Sequence, residues 1–174
     1  RVRSSAASDV YKRQDNFPFI YLENDPYIEE ISIEKISNKA DIALLCLPNG
    51  ISSTLTRKLL DKGIKVIDLS ADYRYKSLDE WKKIYSKEAA FYKRNDDDLC
   101  KEAVYGLPEI NKEAIASARL IACPGCYPTS ALIPLAPYLS QGIIENEGIV
   151  IDSKSGTSGA VSYTHLTLPT ILRV

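Results

Sequence analysis

The 174-residue chain is long enough to bury one substantial core and short for two complete domains, which run to about 100–200 residues each. A formal net charge of -1, with 26% charged residues of both signs mixed along the chain, gives no basic face for a phosphate backbone and argues against nucleic acid as a partner. No run approaches the ~18–20 apolar residues that span a bilayer, and the N-terminal stretch has no apolar signal core, so no membrane partner is expected. The expectation is a soluble cytoplasmic protein. Its four cysteines, Cys46, Cys100, Cys123 and Cys126, then read as reduced thiols rather than a disulfide scaffold.

Positions 1–14 show neither a period nor a turn that continues into the neighbouring pattern, and read as a flank foreign to the rest. From 41 to 48 the run DIALLCLP is short and apolar throughout, as suits a parallel strand covered on both faces. Helical spacing follows: Ser52 or Ser53 as cap, Leu55 and Leu59 on one face, Gly63 as the stop. KVIDLS, 65–70, is a second buried strand, which completes a βαβ unit of the kind that builds doubly wound sheets. Ser77 and Glu80 have the capping-box spacing, and Trp81, Ile84 and Tyr85 predict the buried face of a short helix. KRNDDD, 93–98, lacks apolar period and predicts a solvated loop.

Asn111 is placed to cap a helix running through Ala118, and Leu120 enters another strand. The stretch 126–142 carries Leu132, Leu135, Ala136 and Leu139 at helical spacing, with Gly142 as its stop. Pro128 suits a first turn, whereas Pro134 and Pro137 are expected to kink the helix or end it early. GIVIDSKSGTSGA, 148–160, reads as a strand running into a loop of small residues. Residues 161–174 break that pattern and read as a second foreign flank. The sum is a doubly wound α/β arrangement over 15–122, with a further segment over 123–160.

The densest chemical feature is ACPGCYPTS, 122–130, which places Cys126 after a strand and a Pro-Gly turn, in the first turn of a helix. Unpaired N–H groups and the helix dipole favour an anion there, so a thiolate is stabilised for attack on an activated acyl carbon. Two other readings stand beside this one. Cys126 can be an inert buried residue, or Cys123 and Cys126 can form a C-x-x-C thiol redox centre. With only His165 and two distant cysteines to add, no metal ligand set is formed.

Four further runs follow strand ends or turns: LPNG at 47–50, DLSADYR at 68–74, YGLPE at 105–109 and SKSGTSGA at 153–160. The candidate cofactor-binding set is Pro48, Asn49 and Gly50 in the first, with Ser155, Gly156, Ser158 and Gly159 in the last, where hydroxyls and glycine N–H groups permit close approach.

In this order and spacing, DLSADYR, VYGLPEI, CPGCYPTSAL and SKSGTSGA resemble the N-acetyl-gamma-glutamyl-phosphate reductases of arginine biosynthesis, over roughly 22–160. The resemblance implies a Rossmann-like NADP-binding domain joined to an α+β domain for catalysis and oligomerisation, in a homo-oligomer. It implies that Cys126 is the nucleophile: the thiol displaces phosphate from the gamma-acyl phosphate, and the thioester is reduced to the semialdehyde. Aspartate-semialdehyde dehydrogenases run the same chemistry on another acyl phosphate, but DLSADYR and YGLPE followed by PGCYPT favour the acetylglutamyl enzyme. The family's glycine-rich phosphate loop does not stand upstream of Leu22, and His165 lacks the surroundings of the catalytic histidine. Val161 and Ser162 stand where Gly-Arg, with the substrate arginine, is expected. Cys123 replaces a common asparagine and Asn49 a frequent histidine. The chain as written is therefore expected to be a truncated piece, inactive by itself.

Overall fold

Residues 31–154 are described by a computed structural model, and the chain divides after Pro124 into two compact units. In the first unit, Ser32 caps α1 (Ile33–Ser37) by accepting from Lys35 N at 3.3 Å. β1 (Ile42–Leu45), α2 (Ser52–Asp61) and β2 (Lys65–Asp68) form the expected strand–helix–strand unit, with β1 and β2 parallel from Ile42↔Lys65 to Leu45↔Asp68. Gly63 ends α2 as predicted. At φ +77° it adopts the left-handed conformation, Gly63 N donates to Leu60 O at 2.9 Å and Ile64 N to Leu59 O at 3.1 Å. That pair of bonds is a Schellman motif, and the buried side chains of Ile64 and Leu59 supply its apolar contact.

The chain then runs through α3 (Leu78–Ile84), α4 (Ser86–Phe91), α5 (Asp97–Glu102), β3 (Val104–Tyr105), α6 (Pro108–Ser117) and β4 (Leu120–Ala122). The sheet order is β1-β2-β4-β3 and every pairing is parallel. This is the α/β, Rossmann-like arrangement read from the sequence. Leu45, Val66, Leu120 and Ala122 meet Leu59, Leu60, Trp81 and Leu99 of the helices in one core. Trp81 is its largest member; removing ~150–250 Å² from water at ~25 cal/mol per Å² corresponds to about 4–6 kcal/mol, an upper value before ordering entropy.

β1 is not covered on both faces among the described residues: Ile42 and Leu44 are 49% and 55% exposed. The pleat turns only Leu45 and its row toward the core, which gathers α2, α3 and α5 on that side. Ser77 caps α3 as expected, accepting from Asp79 N at 3.2 Å. Ile84 does not share the buried face, because α3 ends at it and only Leu78 and Trp81, one turn apart, reach the core. Tyr85 instead stacks on Trp81 with ring centres 5.7 Å apart.

The segment 93–98 is the largest departure from expectation: it is no solvated loop, since Arg94 and Asp96 are buried and Asp97 opens α5. The ion pairs that make this possible are described below. Asn111 is the one non-helical residue inside α6, at φ -129° and ψ 25°, so it marks a kink and donates from Nδ2 to Tyr105 O at 2.9 Å; the helix begins earlier, at Pro108. Proline suits that position because its missing N–H would have had no partner there.

In the second unit, α7 (Cys126–Ser140) runs through Pro134 and Pro137 without ending. Their spacing of three places both missing hydrogen bonds on one side of the helix, and the bonds on the other side hold it together. Gly142, at φ +65°, follows its C-cap. Residues 149–152 form no strand among the described residues, because an apolar run becomes a strand only when another strand completes its ladder.

Candidate functional site

Parallel strands end at the same edge of a sheet, so the segments that follow β1, β2, β3 and β4 share one crevice in the first unit. Three of the sequence-predicted runs come together there: LPNG after β1, DLSADYR at the end of β2 and YGLPE at β3. Cys123 follows β4 at the same edge.

The turn after β1 is clamped to the turn after β2 by side chain–backbone bonds. Asn49 Oδ1 accepts from Ala71 N at 2.9 Å. The Asp72 carboxylate accepts from Gly50 N at 2.6 Å and from Ser53 N at 3.0 Å. The predicted cap of α2 by Ser52 or Ser53 is therefore replaced: Ile51 is the N-cap residue, without a side-chain bond, and a carboxylate from a distant loop meets the free N–H groups. An acid is the right group for that end of a helix, where the dipole favours negative charge.

Gly50 adopts φ +86° and lies beneath the Tyr92 ring; an added Cβ would stand 2.1 Å from Tyr92 Cδ2. Its buried position and its bond to Asp72 make it a conformational element. Pro48 is exposed and Asn49 half-buried, so these two form the open edge of the turn. Ser155, Gly156, Ser158 and Gly159 lie outside the described residues.

Asp68 and Asp72 are both fully buried. Burial pushes the Asp68 carboxyl above the usual carboxylate range, opposed by the Ser70 hydroxyl and N–H at 2.7 and 3.1 Å. Burial raises Asp72 as well, opposed by the Gly50 N–H and the charge of Arg94. Arg94 lies under the crevice with its side chain 2% exposed. It makes a two-pronged pair with Asp96, Nε to Oδ1 at 3.0 Å and Nη2 to Oδ2 at 2.9 Å, and Nη1 donates to Asp72 O at 2.8 Å. Its guanidinium carbon lies over the Trp81 ring, 4.5 Å from its centre, and over the Tyr73 ring, 5.1 Å from its centre, two cation–π contacts. Composition could not reveal this group, because a lone arginine in an acidic run looks solvated. The only signal was DLSADYR itself.

Arg74 closes the crevice floor, donating from Nε to Cys123 O at 2.7 Å and from Nη2 to Leu69 O at 2.9 Å. Cys123 N donates to Asp68 O at 2.8 Å. The Cys123 backbone thus joins β2 and β4 loops, while burial, then the charge of Asp68, push its thiol up. Cys100 is sealed in the core, where burial raises its thiol to about 11. Neutral iodoacetamide should leave Cys100 unmodified in the folded chain and label it once urea unfolds the protein. Labelling of Cys100 as fast as of exposed Cys46 would show an open core.

Cys126 is the first residue of α7, preceded by Gly125 as N-cap, and it is exposed. Thr129 N and Oγ1 both bond Gly125 O, at 3.0 and 2.9 Å, which fixes the turn that carries the sulfur. Pro128 sits in this first turn as expected, where its lack of an N–H costs no helical bond. Within the second unit, Cys126 lines a cleft of about 640 Å³ together with Tyr127, Ser130, Pro134, Val150 and Ile151.

A parallel sheet with its turns gathered at one edge is the layout of a nucleotide-binding α/β domain. The family model described as semialdehyde dehydrogenase, NAD binding domain, matches residues 2–118, and the chain belongs to that family. Residues 126–167 match the semialdehyde dehydrogenase dimerisation domain. Among individual relatives, an N-acetyl-gamma-glutamyl-phosphate reductase of Prochlorococcus marinus strain MIT 9301 is 89% identical over 148 residues, covering 85% of this chain and 42% of the relative. The protein of the same name from strain MIT 9211 is 55% identical over 142 residues, 82% of this chain and 40% of the relative. The chain thus spans less than half the length of these relatives. Among the described residues no helix is long and apolar enough to cross a membrane.

Proposed function

We propose that the full-length protein carrying this segment reduces N-acetyl-gamma-glutamyl phosphate to N-acetylglutamate semialdehyde with NADPH, as a cytoplasmic homo-oligomer serving arginine biosynthesis. The observation that carries this reading is the 89% identity to a relative of that name. The placement of Cys126 at the start of α7 and the match to a dimerisation domain are in keeping with it.

The donor set at the first crevice suits a dinucleotide: Pro48 offers an apolar edge and Asn49 keeps an amide NH2 beyond its bond to Ala71, while Gly50 shapes the turn from below. Pro48 and Asn49 would hold the cofactor here; Ser155, Gly156, Ser158 and Gly159, outside the described residues, are candidates on the sequence alone. NADPH, when bound, supplies the hydride that reduces the acyl carbon. Cys126 attacks the gamma-acyl carbon; the new C–S bond forms as the C–O bond to phosphate breaks and phosphate leaves. After reduction the C–S bond of the thiohemiacetal breaks, the hydroxyl proton is lost and the semialdehyde departs, returning the thiolate. Covalent capture splits acyl transfer from reduction and holds the acyl group in place between the two steps.

Incubating the full-length protein with N-acetylglutamate semialdehyde, NADP and phosphate should produce nicotinamide absorbance that depends on all three. Turnover of aspartate semialdehyde in preference would move the assignment to the related acyl-phosphate reductases.

A further inference from the structure

We infer that Asp72, secured by Arg94, is the positioning residue of the cofactor turn: its carboxylate occupies the N-terminus of α2, where a phosphate would otherwise be drawn, and holds Pro48 and Asn49 toward the dinucleotide. This rests on the functional reading above. Its physical basis is independent of that reading.

The N-terminus of a helix that follows a parallel strand is the ordinary place for a ligand phosphate, because its N–H groups and dipole both attract an anion. Here Gly50 N and Ser53 N are already bonded to the two oxygens of Asp72, at 2.6 and 3.0 Å. The site is filled from within. A phosphate brought to this point would have to displace a buried carboxylate from two hydrogen bonds and from the field of Arg94, whose Nη1 lies 3.8 Å from Asp72 Oδ1.

The same geometry fixes the turn in three places. Asp72 holds Gly50 and Ser53, Asn49 holds Ala71, and the Tyr92 ring closes over Gly50. Arg94 reaches the assembly twice, through the Asp72 carbonyl and through its carboxylate, while Asp96 and the rings of Trp81 and Tyr73 keep the guanidinium from turning away. A turn held in one shape before the ligand arrives need not be ordered by it, and that saving appears as affinity. Asp72 and Arg94 act on Pro48 and Asn49 through Gly50 and Ser53, as positioning residues and not as catalytic ones.

The test uses the full-length protein and its Asp72→Asn variant, which keeps the shape but presents an NH2 group to one of the two backbone donors. Without cofactor, exchange of the Gly50 and Ser53 amides should accelerate at least about tenfold, the effect of losing one hydrogen bond to a charged acceptor. The dissociation constant of NADPH, read from its fluorescence, should rise by about the same factor, as should its KM, with the KM of the acyl phosphate unchanged. Leu60→Ala loosens α2 from its core face without touching the turn, and should leave NADPH affinity as it was. If Asp72→Asn does not fold, Ser53→Pro removes one donor while leaving the carboxylate, and should weaken NADPH in the same direction.

Unchanged exchange at Gly50 and Ser53 would overturn the clamp. Faster exchange with unaltered NADPH affinity, or an equal loss of affinity in Leu60→Ala, would overturn the positioning role. If the parent protein takes up no NADPH, the functional reading falls and the cofactor half of this inference falls with it, whereas the exchange data still judge the clamp.

Discussion

Replacing Arg94 by leucine should lower the stability of the fold by about 3–5 kcal/mol, as removal of one partner from a buried ion pair does. The loss arises because Asp96 and Asp72 stay buried after their counter-charge has gone, and because the rings of Trp81 and Tyr73 lose their cation–π contacts. Urea denaturation of the chain and its variant measures it. The exposed Arg57–Asp98 pair is the internal contrast: its distance is 2.6 Å, but solvent screens both ends, and Arg57→Leu should change the midpoint little. Equal effects at the two positions would show that Arg94 is solvated and that its distances carry no special energy. Arg94→Lys keeps the charge but loses the two-pronged geometry with Asp96, and should fall between parent and leucine.

On the proposed function, Cys126→Ser in the full-length protein should abolish reduction, whereas Cys123→Asn should leave most of it. The two residues lie three apart but do different work. Cys126 begins α7 as an exposed sulfur. Cys123 serves through its backbone, N–H to Asp68 O at 2.8 Å and carbonyl to Arg74 Nε at 2.7 Å, which any residue can supply. Its thiol is pushed up by burial and by Asp68, away from the nucleophilic form. Loss of activity in both variants alike, or a Cys123–Cys126 disulfide that accumulates during turnover, would favour the thiol redox reading over the thioester.

The parallel α/β fold was legible because its signals are local. DIALLCLP and KVIDLS are apolar runs of strand length, and Gly63 stands where only a left-handed residue closes α2. Gly142 marks the stop of α7 in the same local way, whereas the course of that helix through Pro134 and Pro137 is not legible: each proline has a strong local penalty, and the sequence does not say how many other bonds of the helix survive it. The Arg94–Asp96 pair is local, but its burial is not legible in 93–98, because what encloses it is distant in sequence: Asp72 lies 22 residues from Arg94, and Trp81 and Tyr73 come from other parts of the chain. The cap of α2 was misassigned on the same ground, since Ser52 and Ser53 are the local candidates and Asp72 comes from another turn. Within the candidate site, DLSADYR, LPNG and CPGC were visible as motifs, and the part each residue plays was not. Asp72 and Asn49 act by holding backbone N–H groups, and no residue type announces that role.

If Cys126 carries the acyl group, the acyl-enzyme can be trapped on it. The full-length protein is given N-acetylglutamate semialdehyde and NADP with phosphate withheld, so that the thioester forms in the reverse direction and cannot be released to phosphate. Peptide mass spectrometry after acid quench should then find one N-acetylglutamyl group on the peptide containing Cys126, lost again when phosphate is added before the quench. Steady oxidation with an unmodified Cys126, or an acyl group found on Cys123 or Cys46, would contradict the account.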